Sequence, residues 1–97
     1  MNKSNQNQFD NLFYLNKKVI IITGAQGLLG QKHVEVVAQN GGIPIIIDIN
    51  KEQVQLSAKK IEKKYKIAAL GLSVDITKEK KIINSCAQII EKFGRID

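Results

Sequence analysis

The sequence predicts an α/β fold with a parallel sheet, on the strength of three observations. Apolar runs at 17–23, 43–49 and 67–76 have the length and composition of buried strands. Each run is followed by a segment whose apolar residues recur at helical spacing. Strands that alternate with helices in this way form a parallel sheet through right-handed crossovers. We therefore expect the element order β-α-β-α-β-α and the strand order three, two, one.

The first strand and helix have well-marked boundaries. Lys17–Thr23 contains four consecutive branched apolar residues, as expected for a strand covered on both faces. A glycine-rich turn follows, and the next helix is predicted over Leu28–Gln39. Asn40, Gly41 and Gly42 then end this helix, since glycine accepts the left-handed conformation of a helix terminus. The apolar positions of the helix are Leu29, Val34, Val37 and Ala38.

The second unit is a strand over Ile43–Ile49 followed by a helix that Asn50 caps. Pro44 is acceptable because it stands at the start of the strand, where a missing amide costs least. One face of the helix is apolar, which places Tyr65 in the core. That face contains Val54, Ala58, Ile61 and Tyr65.

The third unit is a weaker strand over Ile67–Ile76 and a helix that Thr77 caps. Gly71 interrupts the strand, and an edge position tolerates such an interruption best. Gly94 ends the helix. The predicted buried stripe of the helix is Ile82, Ile83, Cys86, Ile90 and Phe93, which makes the single cysteine a packing residue.

Composition narrows the classes of function. No apolar run reaches the roughly 18 to 20 residues that cross a bilayer, and no apolar leader is present, so we expect a cytoplasmic protein without a membrane partner. Residues 1–12 are predicted to be a flexible polar tail, and 13–97 the folded domain. The net charge of +6 comes from lysines on polar helix faces, which does not favour nucleic-acid binding. The sequence offers no metal site, and the lone His33 is assigned to surface or packing.

The informative motif is the turn between the first strand and its helix, Thr23-Gly24-Ala25-Gln26-Gly27-Leu28-Leu29-Gly30. A pyrophosphate is stabilised at a helix amino terminus by unpaired amides and by the helix dipole. Glycines allow its oxygens to approach the backbone closely. A turn that merely uses glycine for tight geometry is the alternative explanation.

Asp48 makes the dinucleotide interpretation stronger. It ends the second strand, where folds of this type place an acid that accepts hydrogen bonds from the adenosine ribose. Its alternative role is to cap the turn before Lys51. A carboxylate here also repels a 2′-phosphate, by about 4 kcal/mol at 4 Å and an effective dielectric near 20, so NAD is preferred over NADP.

With these motifs the chain resembles the short-chain dehydrogenase/reductase family from Phe13 onward. Lys18–Gly24 is similar to that family's opening strand, Val74–Thr77 to its third-strand signature, and Phe93–Asp97 to its entry into strand four. The resemblance implies a Rossmann-type doubly wound sheet, of which this chain is the amino-terminal portion, truncated before strand four. It also implies that Asp75 and the backbone of Ile76 contact the adenine, although Asp75 could instead cap the following helix. The full set assigned to cofactor binding is Gly24, Gln26, Gly27, Leu28, Leu29, Gly30, Asp48, Ile49, Asp75 and Ile76.

The resemblance implies an NAD(P)-dependent oxidoreductase that transfers hydride between the cofactor and an alcohol or carbonyl compound, such as a sugar, and that is a homo-oligomer when complete. The family's Asn-Asn-Ala-Gly segment, serine and Tyr-x-x-x-Lys pair after strand four are not in this sequence, so no catalytic residue is assigned and the 97 residues alone are expected to be inactive.

The unpaired edge of strand one is expected to make the isolated chain poorly soluble or oligomeric. The glycine spacing G-x-x-G-x-x-G is more usual in the family's extended, sugar-nucleotide branch, whereas the matches at Val74–Thr77 and Phe93–Asp97 favour its standard branch. On that background the spacing resembles dehydrogenases associated with flagellin or surface-sugar modification. An extended-type sugar-nucleotide epimerase or dehydratase and a non-catalytic nucleotide-binding remnant therefore stay open as alternatives.

Overall fold

A computed structural model describes residues 15–97 of the chain. The predicted tail over 1–12, together with Phe13 and Tyr14, lies outside the described residues. The described part contains three strands and three helices in strict alternation. Their bounds are β1 Val19–Thr23, α1 Leu28–Gln39, β2 Ile43–Asp48, α2 Lys51–Tyr65, β3 Leu70–Ser73 and α3 Glu79–Phe93.

The three strands form one parallel sheet in the order β1-β2-β3, which confirms the predicted order. β1 pairs with β2 so that Val19 lies opposite Ile43, and β2 pairs with β3 so that Ile45 lies opposite Leu70. The carboxyl ends of all three strands therefore meet along one edge of the sheet. The turns that follow β1, β2 and β3 all begin at this edge.

Two apolar clusters lie on opposite faces of the sheet. On one face, α1 and α2 pack against Ile22 and Ile46, with Val34, Val54 and Ile61 buried between them. On the other face, Ile89 of α3 is fully buried in a cluster with four residues of the strands and the segment after β3: Val19, Ile45, Ile47 and Val74. Helices on both faces make the sheet doubly wound, as predicted.

Gly71 is required by close packing, and is not merely a residue that an edge strand can accommodate. A Cβ atom at this position would lie 2.2 Å from the carbonyl oxygen of Val54 and 2.5 Å from its carbonyl carbon. Both are backbone atoms of α2, so no side-chain movement can make room. The residue at position 71 must lack a side chain because helix α2 packs directly on β3 here.

The predicted start of α3 is wrong by one residue. Lys78, and not Thr77, is the N-cap of α3, and Lys78 makes no side-chain capping hydrogen bond. The Thr77 hydroxyl instead donates to Oδ1 of Asp75 at 2.6 Å, and the Thr77 amide donates to the same oxygen at 3.0 Å. Thr77 is thus part of a tight turn closed by Asp75.

The prediction of which residues of α3 are buried is also largely wrong. Ser85 and Ile89 are the buried positions of this helix, whereas Ile83 and Ile90 are 58% and 51% exposed. Cys86 is a free, half-buried thiol. Apolar spacing identified the hydrophobic side of the helix correctly, but the sheet contacts only one edge of that side.

The chain returns to β1 after α3. The Asp97 amide donates to the Val19 carbonyl at 2.7 Å, and the Val19 amide donates to the Asp97 carboxylate at 2.8 Å. Arg95 forms an ion pair with the same carboxylate, and it is the largest cause of the lowered pKa of Asp97. These contacts bring Asp97 to the side of β1 that does not face β2.

Candidate functional site

The glycine turn between β1 and α1 uses its three glycines in three different ways. Gly24 adopts φ +61°, a left-handed conformation that other residues rarely accept, and the space beyond its Cα is open. Gly27 is the N-cap of α1, and a Cβ there would make only an ordinary contact of 3.4 Å. A Cβ on Gly30 would lie 2.3 Å from the Gly24 carbonyl oxygen. Gly30 therefore allows the helix to pack on the turn, while Gly24 and Gly27 keep its outer side free of side chains.

The amino terminus of α1 presents unpaired amides. The Gln31 amide donates to the Gly27 carbonyl at 2.9 Å, which starts the helical pattern. Within residues 15–97, no acceptor is found for the amides of Leu28, Leu29 and Gly30. The first turn of a helix cannot satisfy such groups internally, so they are available to an anion.

Asp48 lies at the mouth of this turn. Its Oδ2 accepts the backbone amide of Gln26 at 2.9 Å, and its Oδ1 accepts the backbone amide of Ile49 at 2.7 Å. The carboxylate is half-buried and held by both oxygens. The contact with Gln26 brings the end of β2 and the glycine turn together, and the contact with Ile49 fits the local turn role that the sequence also allowed.

The end of β3 contributes a second turn next to that of β2. The Val74 amide donates to the Asp48 carbonyl at 3.0 Å, so the segment after β3 runs beside Asp48. The Asp75 carboxylate is occupied by Thr77, whose hydroxyl and amide hold the pKa of Asp75 below its usual range. The structure therefore gives Asp75 a local turn role and no hydrogen bond to the glycine turn.

Apolar side chains are exposed on all three turns at this edge. Four large residues assigned to the site project into solvent with exposures between 54% and 77%: Leu28, Leu29, Ile49 and Ile76. Leu29, one of the apolar positions that recur at helical spacing in α1, is thus outside the core. Exposed apolar residues beside unpaired amides are suited to a ligand with both flat apolar and anionic parts.

Sequence reasoning missed a side-chain contact that links the glycine turn to α2. The Gln26 carboxamide Nε2 donates to the Ser57 hydroxyl at 3.0 Å, and both residues are half-buried. These two residues line a groove of about 690 Å³ between α1 and α2, together with Ala25 and Leu28 of the turn. The positions are 31 residues apart, and no spacing rule connects them.

Other chemistry is sparse in the described part of the chain. Among residues 15–97 there is no group of three or more potential metal ligands, and no helix long and apolar enough to cross a membrane. His33 is exposed on α1. One Tyr-x-x-x-Lys spacing is present in the sequence, at Tyr14 and Lys18. Lys18 directly precedes β1, at the edge of the sheet opposite the glycine turn, and Tyr14 lies outside the described residues.

A doubly wound parallel sheet with a glycine turn and an acid at the carboxyl edge is the arrangement of the amino-terminal half of a Rossmann-type fold. The sequence pattern of the short chain dehydrogenase family matches residues 18–97. The chain belongs to this family, which confirms the resemblance drawn from its motifs.

Two curated relatives illustrate the relationship. Post-translational flagellin modification protein A of Campylobacter coli is 32% identical over 83 residues, which are 86% of this chain and 32% of that protein. NAD-dependent glycerol dehydrogenase of Listeria innocua is 34% identical over 89 residues, which are 92% of this chain and 34% of that protein. The chain thus spans about a third of the length of these relatives.

Solved structures share the fold. A 7α-hydroxysteroid dehydrogenase complexed with NADH and 7-oxo glycochenodeoxycholic acid is 29% identical, with a TM-score of 0.82 over all of this chain and 35% of the other. L-Sorbose reductase of Gluconobacter frateurii, complexed with NADPH and L-sorbose, is 20% identical, with a TM-score of 0.82 over 88% of this chain and 32% of the other. At that identity the second likeness shows the fold alone.

Proposed function

We propose that residues 13–97 form the cofactor-binding part of an NAD-dependent oxidoreductase that acts on the alcohol or carbonyl group of a small molecule. The observation that carries the proposal is the hydrogen bond between the Gln26 amide and the Asp48 carboxylate, because it joins the turn suited to a diphosphate to an acid suited to a ribose. When bound, a nicotinamide dinucleotide supplies the hydride-transfer chemistry.

The unpaired amides fit the diphosphate. Leu28, Leu29 and Gly30 present their amides at the positive end of the α1 dipole. The open space at Gly24 and the absence of a side chain at Gly27 leave room for phosphate oxygens against the backbone. Neutral amides at a helix terminus bind an anion without the desolvation cost of a buried lysine or arginine.

The lone pairs of Asp48 fit the adenosine ribose. An ionised carboxylate has about four acceptor positions. The amides of Gln26 and Ile49 take one position on each oxygen, which leaves each oxygen free to accept one hydroxyl hydrogen. The neighbouring 2′- and 3′-hydroxyls of a ribose present two such donors. The exposed side chains of Ile49 and Ile76 would then flank the adenine, since they follow the ends of adjacent strands.

The same geometry favours NAD over NADP. A 2′-phosphate would replace one hydroxyl donor with a dianion beside Asp48, at a repulsion of about 4 kcal/mol per charge pair at 4 Å in a medium of effective dielectric 20. The names of the Listeria relative and of the hydroxysteroid dehydrogenase complex refer to NAD and NADH, which supports the choice.

The proposal includes a substrate class and a setting. The resemblance of the glycine spacing to members that modify flagellin or surface sugars, together with the relationship to a flagellin modification protein, supports a sugar-derived alcohol or carbonyl compound as the substrate. We propose that the intact protein is a cytoplasmic homo-oligomer, and that residues 1–97 alone do not transfer hydride, because the family's serine and Tyr-x-x-x-Lys pair belong to a part of the fold after strand four.

The test is cofactor binding to the intact protein and to an Asp48→Ala variant, measured by titration calorimetry with NADH and NADPH. We expect the wild type to bind NADH more tightly, and the variant to lose at least about tenfold in NADH affinity, as two hydrogen bonds to a charged acceptor are removed. Glu52→Ala is the matched control, because it removes one exposed negative charge from the first turn of α2. A wild type that prefers NADPH would contradict the role given to Asp48.

A further inference from the structure

Gln26 makes hydrogen bonds to three different elements of the fold. Its backbone amide donates to Asp48 at the end of β2, and its side-chain carboxamide donates to Ser57 in the second turn of α2. Its carbonyl accepts the side-chain amide of Gln31 in α1 at 3.1 Å. No other side chain of residues 24–30 can form a hydrogen bond, because the rest are glycine, alanine and leucine, and the Thr23 hydroxyl makes none within the described range.

The link to Ser57 fixes where the Gln26 amide points. A turn rich in glycine has few intrinsic restraints on its backbone, so its conformation depends on such external contacts. The Gln26–Ser57 contact is half-buried, which makes it stronger than an exposed hydrogen bond of the same length. With the side chain held on α2, the backbone amide of Gln26 is directed at Oδ2 of Asp48.

We propose that Gln26 is a positioning residue for the adenosine ribose, and that Ser57 is its anchor. This inference rests on the proposed NAD-binding function. The Gln26 amide occupies the inner lone pair of Oδ2 and sets the rotation of the Asp48 carboxylate, so that the two remaining acceptor positions face the 2′- and 3′-hydroxyls together. Without the anchor, the turn and the carboxylate become ordered only when the nucleotide binds. The entropy cost of this ordering weakens the affinity for the nucleotide.

The test uses the intact protein and two ligands, NADH and AMP, which share the adenosine ribose. The variants are Gln26→Ala, Ser57→Ala, both together, and Ser57→Thr, which keeps a hydroxyl at the anchor. We expect each single alanine variant to reduce the affinity for both ligands by about three- to tenfold. This is the effect of losing one hydrogen bond and the order that it provides. The double variant should be no weaker than the Gln26→Ala variant, because both changes remove the same contact.

Two controls separate positioning from general destabilisation. Gln39→Ala changes an exposed glutamine at the other end of α1 and should leave both affinities unchanged. Ser57→Thr should restore at least most of the affinity lost in Ser57→Ala. Melting temperatures without ligand identify any variant that is unfolded. Ser57→Ala removes only one oxygen atom, so its comparison with the wild type stays informative if Gln26→Ala does not fold.

The outcomes distinguish this inference from the function on which it rests. A wild type that binds neither NADH nor AMP overturns the proposed function itself. A wild type that binds both, with unchanged affinity in the Gln26→Ala and Ser57→Ala variants, overturns the positioning role and leaves the NAD site in place. Weakening by Gln26→Ala alone would show that Ser57 is not the anchor, and equal loss in Ser57→Thr and Ser57→Ala would show that the hydroxyl has no part in it.

Discussion

Replacing Gly30 by alanine should destabilise the fold, although alanine is the better helix former. Gly30 is the third residue of α1, and its Cα packs on the backbone of the glycine turn. A Cβ there would lie 2.3 Å from the Gly24 carbonyl oxygen and 2.8 Å from the Ala25 Cα. Both contacts are far inside van der Waals distance and involve backbone atoms, so relief requires the turn to move away from the helix.

The magnitude follows from two opposing effects. Alanine gains up to about 1 kcal/mol over glycine in a helix. Overpacking that forces the backbone to shift costs about 1 to 3 kcal/mol. Because the overlap exceeds 1 Å relative to an ordinary contact of about 3.5 Å, we take the upper part of that range, and the net loss of stability for Gly30→Ala is about 1 to 2 kcal/mol.

The assay is urea unfolding of the intact protein followed by circular dichroism, with Gly27→Ala as the matched control. A loss of this size lowers the midpoint by about 0.5 to 1 M urea for a typical small domain. A Cβ at Gly27 would be 3.4 Å from the nearest atom outside its neighbours, so Gly27→Ala should unfold like the wild type. Binding of NADH should show the reverse order of effects. The Cβ of residue 27 would lie on the open side of the turn, so Gly27→Ala should weaken NADH binding more than Gly30→Ala does. Wild-type stability in Gly30→Ala would refute the account of close packing.

Three further changes test other contacts of the fold. Gly71→Ala should cost about 2 kcal/mol of unfolding free energy in the same urea assay, because its Cβ would overlap the Val54 carbonyl. Asn50→Ala should cost about 1 kcal/mol, since the Asn50 side chain accepts the Gln53 amide at 3.0 Å as the cap of α2, and Asn50→Asp should retain most of it. Tyr65→Phe removes the hydroxyl that donates to Glu35, with a loss of about 0.5 to 1 kcal/mol at pH 7. That hydrogen bond is the largest cause of the lowered pKa of Glu35, so its stabilisation is present above the unfolded value of 4.5 and is lost as pH falls through the lower folded value. A difference between wild type and Tyr65→Phe that does not shrink below pH 4.5 would contradict this sign.

The sequence predicted the alternation of elements because local patterns determine it. The bounds of α1 were predicted to the residue, since a glycine turn precedes the helix and Asn40 and Gly41 follow it. The cap at Asn50 and the buried face of α2 also needed only local chemistry and a 3.6-residue period. Strand β3 is shorter than predicted because apolar composition continues past Ser73, where backbone pairing to β2 gives way to the turn closed by Asp75.

The core of α3 could not be predicted in the same way. Periodicity shows which side of a helix is apolar, but not which part of that side the sheet covers. Ile89 is fully buried between the helix and β1, β2 and the segment after β3, whereas Ile83 and Ile90 on the same side remain more than half exposed. The error at Thr77 has a related origin. Its hydroxyl could cap a helix or close a turn on Asp75, and the two uses cannot be told apart by residue type.

The candidate site also combines features that local sequence patterns predict with features that depend on contacts distant in the sequence. The meeting of Asp48 with the glycine turn was predictable, because parallel strands in neighbouring positions must end at the same edge. The residue of the turn that donates to Asp48 was not predictable. Which amide of the turn reaches the carboxylate depends on how Gln26 is held, and Gln26 is held by Ser57 through the rotation of α2 about its own axis. That rotation is set by Val54, Ala58 and Ile61 in the core, so the apolar face of α2 determines the geometry of a neighbouring polar site.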